Sequence, residues 1–198
     1  MPETPYDDPF DWFAHWYADV RDAQLANFNA MSLATVDATG QPRTRQVLLK
    51  SFDAAGFVFY TNYRSPKARQ LEENPRVALN FYWRGLERQI RIEGFADRLS
   101  EADSDAYFAT RPRGSQVGAW ASQQSQPLET RQVLASRVEE FEDKFHDQEV
   151  PRPPHWGGYR VVPLRMEFWE AEAYRLHDRW EFVRQSADDG WKVEMLYP

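Results

Sequence analysis

The sequence predicts a predominantly antiparallel β fold with helices, a single barrel carrying the helices on its periphery. Three observations lead there. Short runs rich in β-branched and aromatic residues recur along the chain, and the turns between them are too short for crossover helices. Helical periodicity, in contrast, is confined to a few separate segments.

Residues 1–29 read as an N-terminal helical segment: Asp8 can cap it, Pro9 suits its first turn, and Phe10, Phe13, Trp16, Tyr17 and Val20 recur at helical spacing. The period then changes to that of strands at Met31–Val36, Arg45–Lys50 and Phe57–Thr61, with turns at Thr39–Pro42 and Asp53–Gly56. Ser65-Pro66 opens a second helix that Asn74-Pro75 ends. Two strands follow, Val77–Trp83 and Gln89–Ala96, turning around Arg84-Gly85. The Ser100–Asp103 stretch resembles a capping box, and its helix runs to about Thr110, where Arg111-Pro112 stops it.

Residues 111–128 read as a Gly/Ser/Gln-rich loop, and Leu134, Val138, Phe141 and Phe145 mark one face of a longer helix. After a Pro/Gly connection over 151–158, the C-terminal segment 159–198 supplies strands at Tyr159–Trp169, Arg179–Arg184 and Trp191–Leu196. No repeat, low-complexity tract or long linker interrupts the chain, so residues 1–198 are expected to form one domain.

Composition removes several classes of function. The absence of cysteine excludes a disulfide scaffold, a thiolate metal site and a cysteine nucleophile. The four histidines lack ligand spacing, so no metal site is expected. No apolar run approaches the ~20 residues of a membrane-spanning helix, and Met1–Asp11 lacks the basic and apolar regions of a signal peptide. A cytoplasmic protein is the expectation. Neither G-x-G-x-x-G nor a P-loop occurs. The net charge of −7 is unevenly spread: residues 43–91 carry ten bases against four acids, inside an otherwise acidic chain. That pattern fits a local anion site better than the broad basic face of a nucleic-acid binder, although charge alone favours an ordinary solvated surface.

Polar clusters stand where barrel strands are normally apolar. Arg45 and Lys50, five apart on one strand, face opposite sides and serve different partners. Tyr60-Thr61-Asn62 runs into Ser65-Pro66-Lys67, a strand meeting a helix N-terminus, where N–H groups, a hydroxyl and a lysine can cradle a phosphate; a capped helix without ligand is the plainer alternative. Tyr107, Arg111 and Ser115 are spaced four apart and can converge on a second phosphate. Arg175, His177 and Arg179 share one face if their segment is extended, a density of positive donors that a core rejects without an anion. With Gln89, Gln124 and Trp169, these clusters would suit two phosphorylated ligands, one with a flat ring.

At these same residues the chain resembles the pyridoxamine/pyridoxine 5′-phosphate oxidase family. The matching stretches are Arg45–Lys50 (RQVLLK), Phe59–Asn62 (FYTN), Leu86–Gln89 (LERQ), Arg111–Trp120 (RPRGSQVGAW), Gln123–Ser125 (QQS), Glu167–Trp169 (EFW) and Arg175–Arg179 (RLHDR), in family order. The resemblance implies an FMN-binding split β-barrel acting as a homodimer, with two flavin sites at the subunit interface. It implies Arg45 and Lys67 on the FMN phosphate, assisted by Tyr60, Thr61 and Ser125. The backbone of Val47, Leu48 and Leu49 would meet the isoalloxazine together with Gln89, Gln124, Trp169 and Arg179. Lys50, at the end of that cofactor stretch, would also hold the substrate phosphate with Tyr107, Arg111 and Ser115, while Arg175 and His177 would act catalytically over the pyridine ring.

The implied reaction takes pyridoxine or pyridoxamine 5′-phosphate to the aldehyde, with dioxygen as acceptor and hydrogen peroxide as by-product. The chain departs from the family pattern at Pro66, where an arginine is common and Arg64 is the nearby substitute. It departs again in its short N-terminal arm, where Tyr6 is the candidate to help close the site. Two other readings compete. One is a split-barrel flavin oxidase of another small ring, as in phenazine biosynthesis; the other is a flavin or pyridoxal-phosphate binder without turnover. Neither nucleic acid nor membrane is an expected partner.

Overall fold

A computed structural model gives the fold and describes residues 4–198. Helix α1 (Pro9–Asp22) starts where Asp8 accepts a hydrogen bond from the Phe10 N–H at 2.7 Å, a cap of about 1 kcal/mol. Its apolar stripe covers the inner face of the sheet: Trp12 stacks on Phe168 with centroids 4.5 Å apart, and Phe13 meets Phe52, Phe57 and Phe81 edge-on. The following strands are β1 (Ala30–Val36), β2 (Pro42–Leu48), the short β3 (Ser51–Asp53) and β4 (Gly56–Asn62). Helix α2 (Pro66–Glu73), capped by Ser65, lies against β1 and leads to β5 (Arg76–Trp83) and β6 (Arg88–Arg98).

Helix α3 (Glu101–Ala109) is capped by Ser100, and helix α4 (Arg113–Ala121) follows within four residues. The expected loop over 111–128 is therefore half helix. Its two glycines masked the periodicity, while Val117 and Ala121, one turn apart, are buried and Trp120 reaches Phe141 and Phe145. Those phenylalanines belong to and follow α5 (Arg131–Lys144), whose Arg137 Nε donates to the Ala121 carbonyl at 2.7 Å. Strands β7 (Trp156–Glu170), β8 (Asp178–Val183) and β9 (Lys192–Met195) complete the chain. β7 begins three residues earlier than the sequence indicates, because Gly157 and Gly158 are strand residues: a Cβ on Gly158 would lie 2.8 Å from the Tyr60 ring.

Every strand pair is antiparallel, as the short connections require. The nine-stranded sheet has the order β2-β1-β5-β6-β7-β4-β3, with β8 on β7 and β9 on β8. β7 is the branch point: its first half pairs with β4, its second half with β8, and β6 runs along its other edge. The division falls near Pro163, opposite the Glu93/Gly94 bulge, where a Cβ on Gly94 would stand 2.0 Å from the Val162 carbonyl oxygen. The sheet curls until its ends meet where Leu49 and Lys50 join β2 to β3, and the Lys50 N–H donates to the Val58 carbonyl at 2.9 Å. This is the half-barrel on which the site is built. Among the described residues no helix is long and apolar enough to cross a membrane.

Candidate active site

A cleft of about 520 Å³ opens where the end of β2, the end of β4, the start of α2 and the α3–α4 junction converge. It brings together Arg45, Val47, Leu48, Lys50, Tyr60, Thr61, Lys67, Tyr107, Arg111, Ser115 and Gln124, residues up to 79 positions apart in the chain. Leu49 is not among them. Its side chain is buried in the core, its N–H donates to the Asn29 carbonyl at 2.8 Å, and its own carbonyl accepts from Asn29 Nδ2. Ser125, at φ +66°, lines a neighbouring cleft with Pro127 and Leu128 instead. Arg64 also faces elsewhere, into a cleft with Arg69, Arg137 and His155 that shares only Gln124 with this one. Residues 1–3 of the N-terminal arm lie outside the described residues, and Tyr6 stacks on Trp12 of α1 rather than over the cleft.

The cleft is defined by cations that no carboxylate of the described residues neutralises. Among the described residues none of the ion pairs involves Arg45, Lys50, Lys67 or Arg111. Lys67 is buried, and its Nζ donates only to neutral oxygens: Gln124 Oε1 at 2.8 Å, Thr61 Oγ1 at 3.2 Å and Ser65 Oγ at 3.3 Å. Burial, and then the nearby charge of Arg45, lowers its pKa to about 8. Burial also lowers the Arg45 and Arg111 values. Arg45 Nη1 donates to Thr35 Oγ1 at 2.6 Å and to the Leu33 carbonyl at 3.1 Å.

Arg111 occupies the opposite wall. Its guanidinium lies 4.6 Å from the Trp156 ring centroid and 5.4 Å from that of Phe108, and its buried Nη1 has no hydrogen-bond partner among the described residues. Tyr60 stacks with Tyr107, 3.9 Å away, and with Trp156, 5.2 Å away, and its hydroxyl pKa is pushed up by burial first and Tyr107 second. Burying positive charge beside an unsatisfied donor is costly unless an anion completes the site. Two groups of cations on a flat aromatic wall fit an anionic ligand carrying a ring, and the donor set suits phosphate.

The remaining predicted residues stand apart, at the other end of the sheet. Gln89, Trp169 and Arg179 form one cross-strand row on β6, β7 and β8. The segment before β8 is not extended: Tyr174 and Arg175 take positive φ values of +60° and +64° in a tight turn. The turn folds His177 back onto Trp169 at 4.5 Å, where Nδ1 accepts from the Glu172 N–H at 3.1 Å. Arg175, His177 and Arg179 therefore share no strand face. Unlike the cleft cations, Arg179 is paired: Nε meets Glu167 at 2.9 Å, which raises its pKa, and Nη1 donates to the Tyr197 carbonyl at 2.8 Å. Around this cluster Tyr174, Leu176 and Tyr197 are largely exposed.

Three residues in or behind the cleft escaped sequence reasoning. Trp156 sits in what reads as a Pro/Gly connector, although a tryptophan beside two glycines was an available signal. Thr35 and Gln70 lie buried behind Arg45 and resemble ordinary strand and helix residues.

Comparison with known proteins adds an independent line. The profile of pyridoxamine 5′-phosphate oxidase matches residues 18–145, and that of the pyridoxine 5′-phosphate oxidase C-terminal dimerisation region matches residues 156–198. The chain is 56% identical to the pyridoxine/pyridoxamine 5′-phosphate oxidase of Rubrobacter xylanophilus over 96% of its own length and 87% of that protein. It is 54% identical to the oxidase of the same name from Myxococcus xanthus, over 96% and 92%. Among solved structures, PhzG from Burkholderia lata in complex with tetrahydrophenazine-1-carboxylic acid superposes with a TM-score of 0.92 at 32% identity, covering 100% of this chain and 97% of that one. An FMN-binding protein from Nostoc punctiforme shares the fold, with a TM-score of 0.77 at 19% identity and full coverage of both chains.

Proposed function

The chain belongs to the pyridoxamine 5′-phosphate oxidase family, and from that membership we infer that it is a cytoplasmic, FMN-dependent enzyme that oxidises pyridoxine and pyridoxamine 5′-phosphates to pyridoxal 5′-phosphate. The observation carrying this reading is the cleft itself, with uncompensated cations in two groups around a tyrosine–tryptophan stack. Arg45 and Lys67, with Thr61 and Tyr60, hold the FMN phosphate. Val47, Leu48 and Gln124 border its ring. Lys50, Tyr107, Arg111 and Ser115 hold the phosphate of the substrate, so binding energy far from the reacting carbon orients it.

When bound, FMN would supply the two-electron acceptor for the hydride leaving the substrate carbon, with dioxygen as the final acceptor and hydrogen peroxide as the by-product. The alcohol gives the aldehyde directly, and the amine gives an imine that water hydrolyses with release of ammonia. Gln89, Trp169, Arg179, Arg175 and His177 lie in or beside the segment matching the dimerisation profile. In a homodimer they complete the cleft of the partner subunit, with Arg175 and His177 over the pyridine ring and Arg179 beside the flavin, where negative charge accumulates on reduction.

The likeness to PhzG favours a second reading, a flavin oxidase of another reduced ring. The phosphate-ready Lys50 and Arg111 weigh against it, since a ring without phosphate leaves them unpaired. The deciding experiment is the absorption spectrum of the purified protein followed by anaerobic titration. Bleaching of bound FMN by pyridoxine 5′-phosphate is expected. Bleaching by a tetrahydrophenazine carboxylate alone would establish the second reading, and a protein that neither carries nor takes up FMN would remove both.

A further inference from the structure

Arg45 is held from behind by a small buried network. Thr35 is fully buried and Gln70 almost so. Thr35 Oγ1 donates its one proton to Gln70 Oε1 at 2.6 Å and accepts from Arg45 Nη1 at 2.6 Å, while Arg45 Nη2 reaches the same Gln70 oxygen at 3.4 Å. Both neighbours of Oε1 are donors, so the orientation of the Gln70 amide is determined, and the guanidinium is fixed along two of its edges. A glutamate at position 70 would accept the same bonds with more Coulombic attraction, yet the chain places a neutral amide there. The same choice recurs at Lys67, which donates only to a threonine, a serine and a glutamine. Arginines elsewhere on the sheet are treated differently, Arg88 pairing with Asp19 and Glu170 and Arg179 with Glu167.

We propose that Thr35 and Gln70 are positioning residues that aim the Arg45 guanidinium at the flavin phosphate while leaving its positive charge uncancelled. The proposal rests on the flavin reading given above. Helix α2 then serves the phosphate twice: Lys67 contributes its own charge, and Gln70, three residues on and on the same face, orients the arginine of β2. A carboxylate in place of the amide would keep the geometry and spend the charge internally, which separates positioning from mere structural support.

The test is titration of the flavin-stripped full-length protein with FMN and with riboflavin, which lacks the phosphate. Gln70→Glu should keep the melting temperature of the wild type, weaken FMN binding by at least about tenfold and leave riboflavin binding within about twofold. Thr35→Val should weaken FMN in the same selective way, and Thr35→Ser should restore it. FMN binding to Gln70→Glu within about twofold of wild type, or equal loss of FMN and riboflavin, would overturn the proposal. Failure of the wild type to bind FMN at all would instead remove the flavin reading on which it rests.

Discussion

The Arg111 guanidinium carbon lies over Trp156, 4.6 Å from the ring centroid, and one buried nitrogen has no hydrogen-bond partner among the described residues. The indole packs against the fork, and the vacant donor is where the proposed reading puts a phosphate oxygen. Lysine at this position keeps the charge and loses both the fork and the stacking. Arg111→Lys should therefore weaken the phosphorylated substrate by at least about tenfold, or 1.4 kcal/mol. FMN content should stay unchanged, because the proposed reading gives that phosphate to Arg45 and Lys67. Steady-state kinetics with pyridoxine and pyridoxine 5′-phosphate checks this, and equal losses on the two substrates would dissociate Arg111 from the phosphate.

Trp156 should matter through that same contact. A desolvated cation–π pair contributes about 0.5–2 kcal/mol. Phenylalanine keeps a weaker form of the pair, so Trp156→Phe should raise KM for pyridoxine 5′-phosphate by only a part of the roughly twofold to thirtyfold that losing the whole pair would cost, at nearly constant kcat. Trp156→Leu also removes the stack on Tyr60, 5.2 Å away, and should lower thermal stability as large-to-small core changes do. A fall in kcat alone would show that Trp156 does not work through Arg111.

How far these parts are legible in the sequence depends on how local their signals are. Asp8, Ser65 and Ser100 cap their helices from adjacent residues, so the starts of α1, α2 and α3 can be read directly. Helix α4 cannot be read that way. Its glycines weaken the local preference, and burial of Val117 and Ala121 against neighbouring helices overrides it. Among the cleft cations only Arg45 stands on a strand, while Lys67 follows the Ser65 cap and Arg111 the end of α3, positions that adjacent residues mark. Thr35 and Gln70 are silent because their importance arises from a contact across 35 residues of chain. The separation of Arg179 from Arg45 is likewise a property of the curled sheet, and no spacing along the chain encodes it.

On the proposed reading, Lys67 gives FMN binding a pH limit. In the ligand-free fold its pKa is lowered to about 8 from 10.5, so between those values the folded protein has released a proton that the unfolded chain retains. Its burial therefore costs stability at neutral pH, and that cost fades as pH rises through this window. Phosphate binding requires the ammonium and has the opposite dependence. FMN affinity should fall above pH about 8, and should also decline below pH ~6 as the phosphate takes up its second proton. Fluorescence titration across pH measures both limbs. Lys67→Arg should remove the upper one, and an unchanged upper limb in that variant would assign it to another group.

Arg45 and Lys67 line the cleft, whereas Arg179 and Trp169 stand in a cross-strand row outside it, within the segment matching the dimerisation profile. If a cleft on one subunit is completed by the row of its partner, the two can be broken on different chains. Lys67→Ala and Arg179→Ala homodimers should each be impaired, because every site then carries one defect. In a mixed dimer one site collects both defects, and the other receives an intact cleft from the Arg179→Ala chain and an intact row from the Lys67→Ala chain. Unfolding and refolding equal amounts together should make about half of the dimers mixed, each with one good site, and so return about a quarter of wild-type activity. Activity that stays at the mean of the two parent variants would mean that cleft and row act within one chain, and the intersubunit site would have to be abandoned.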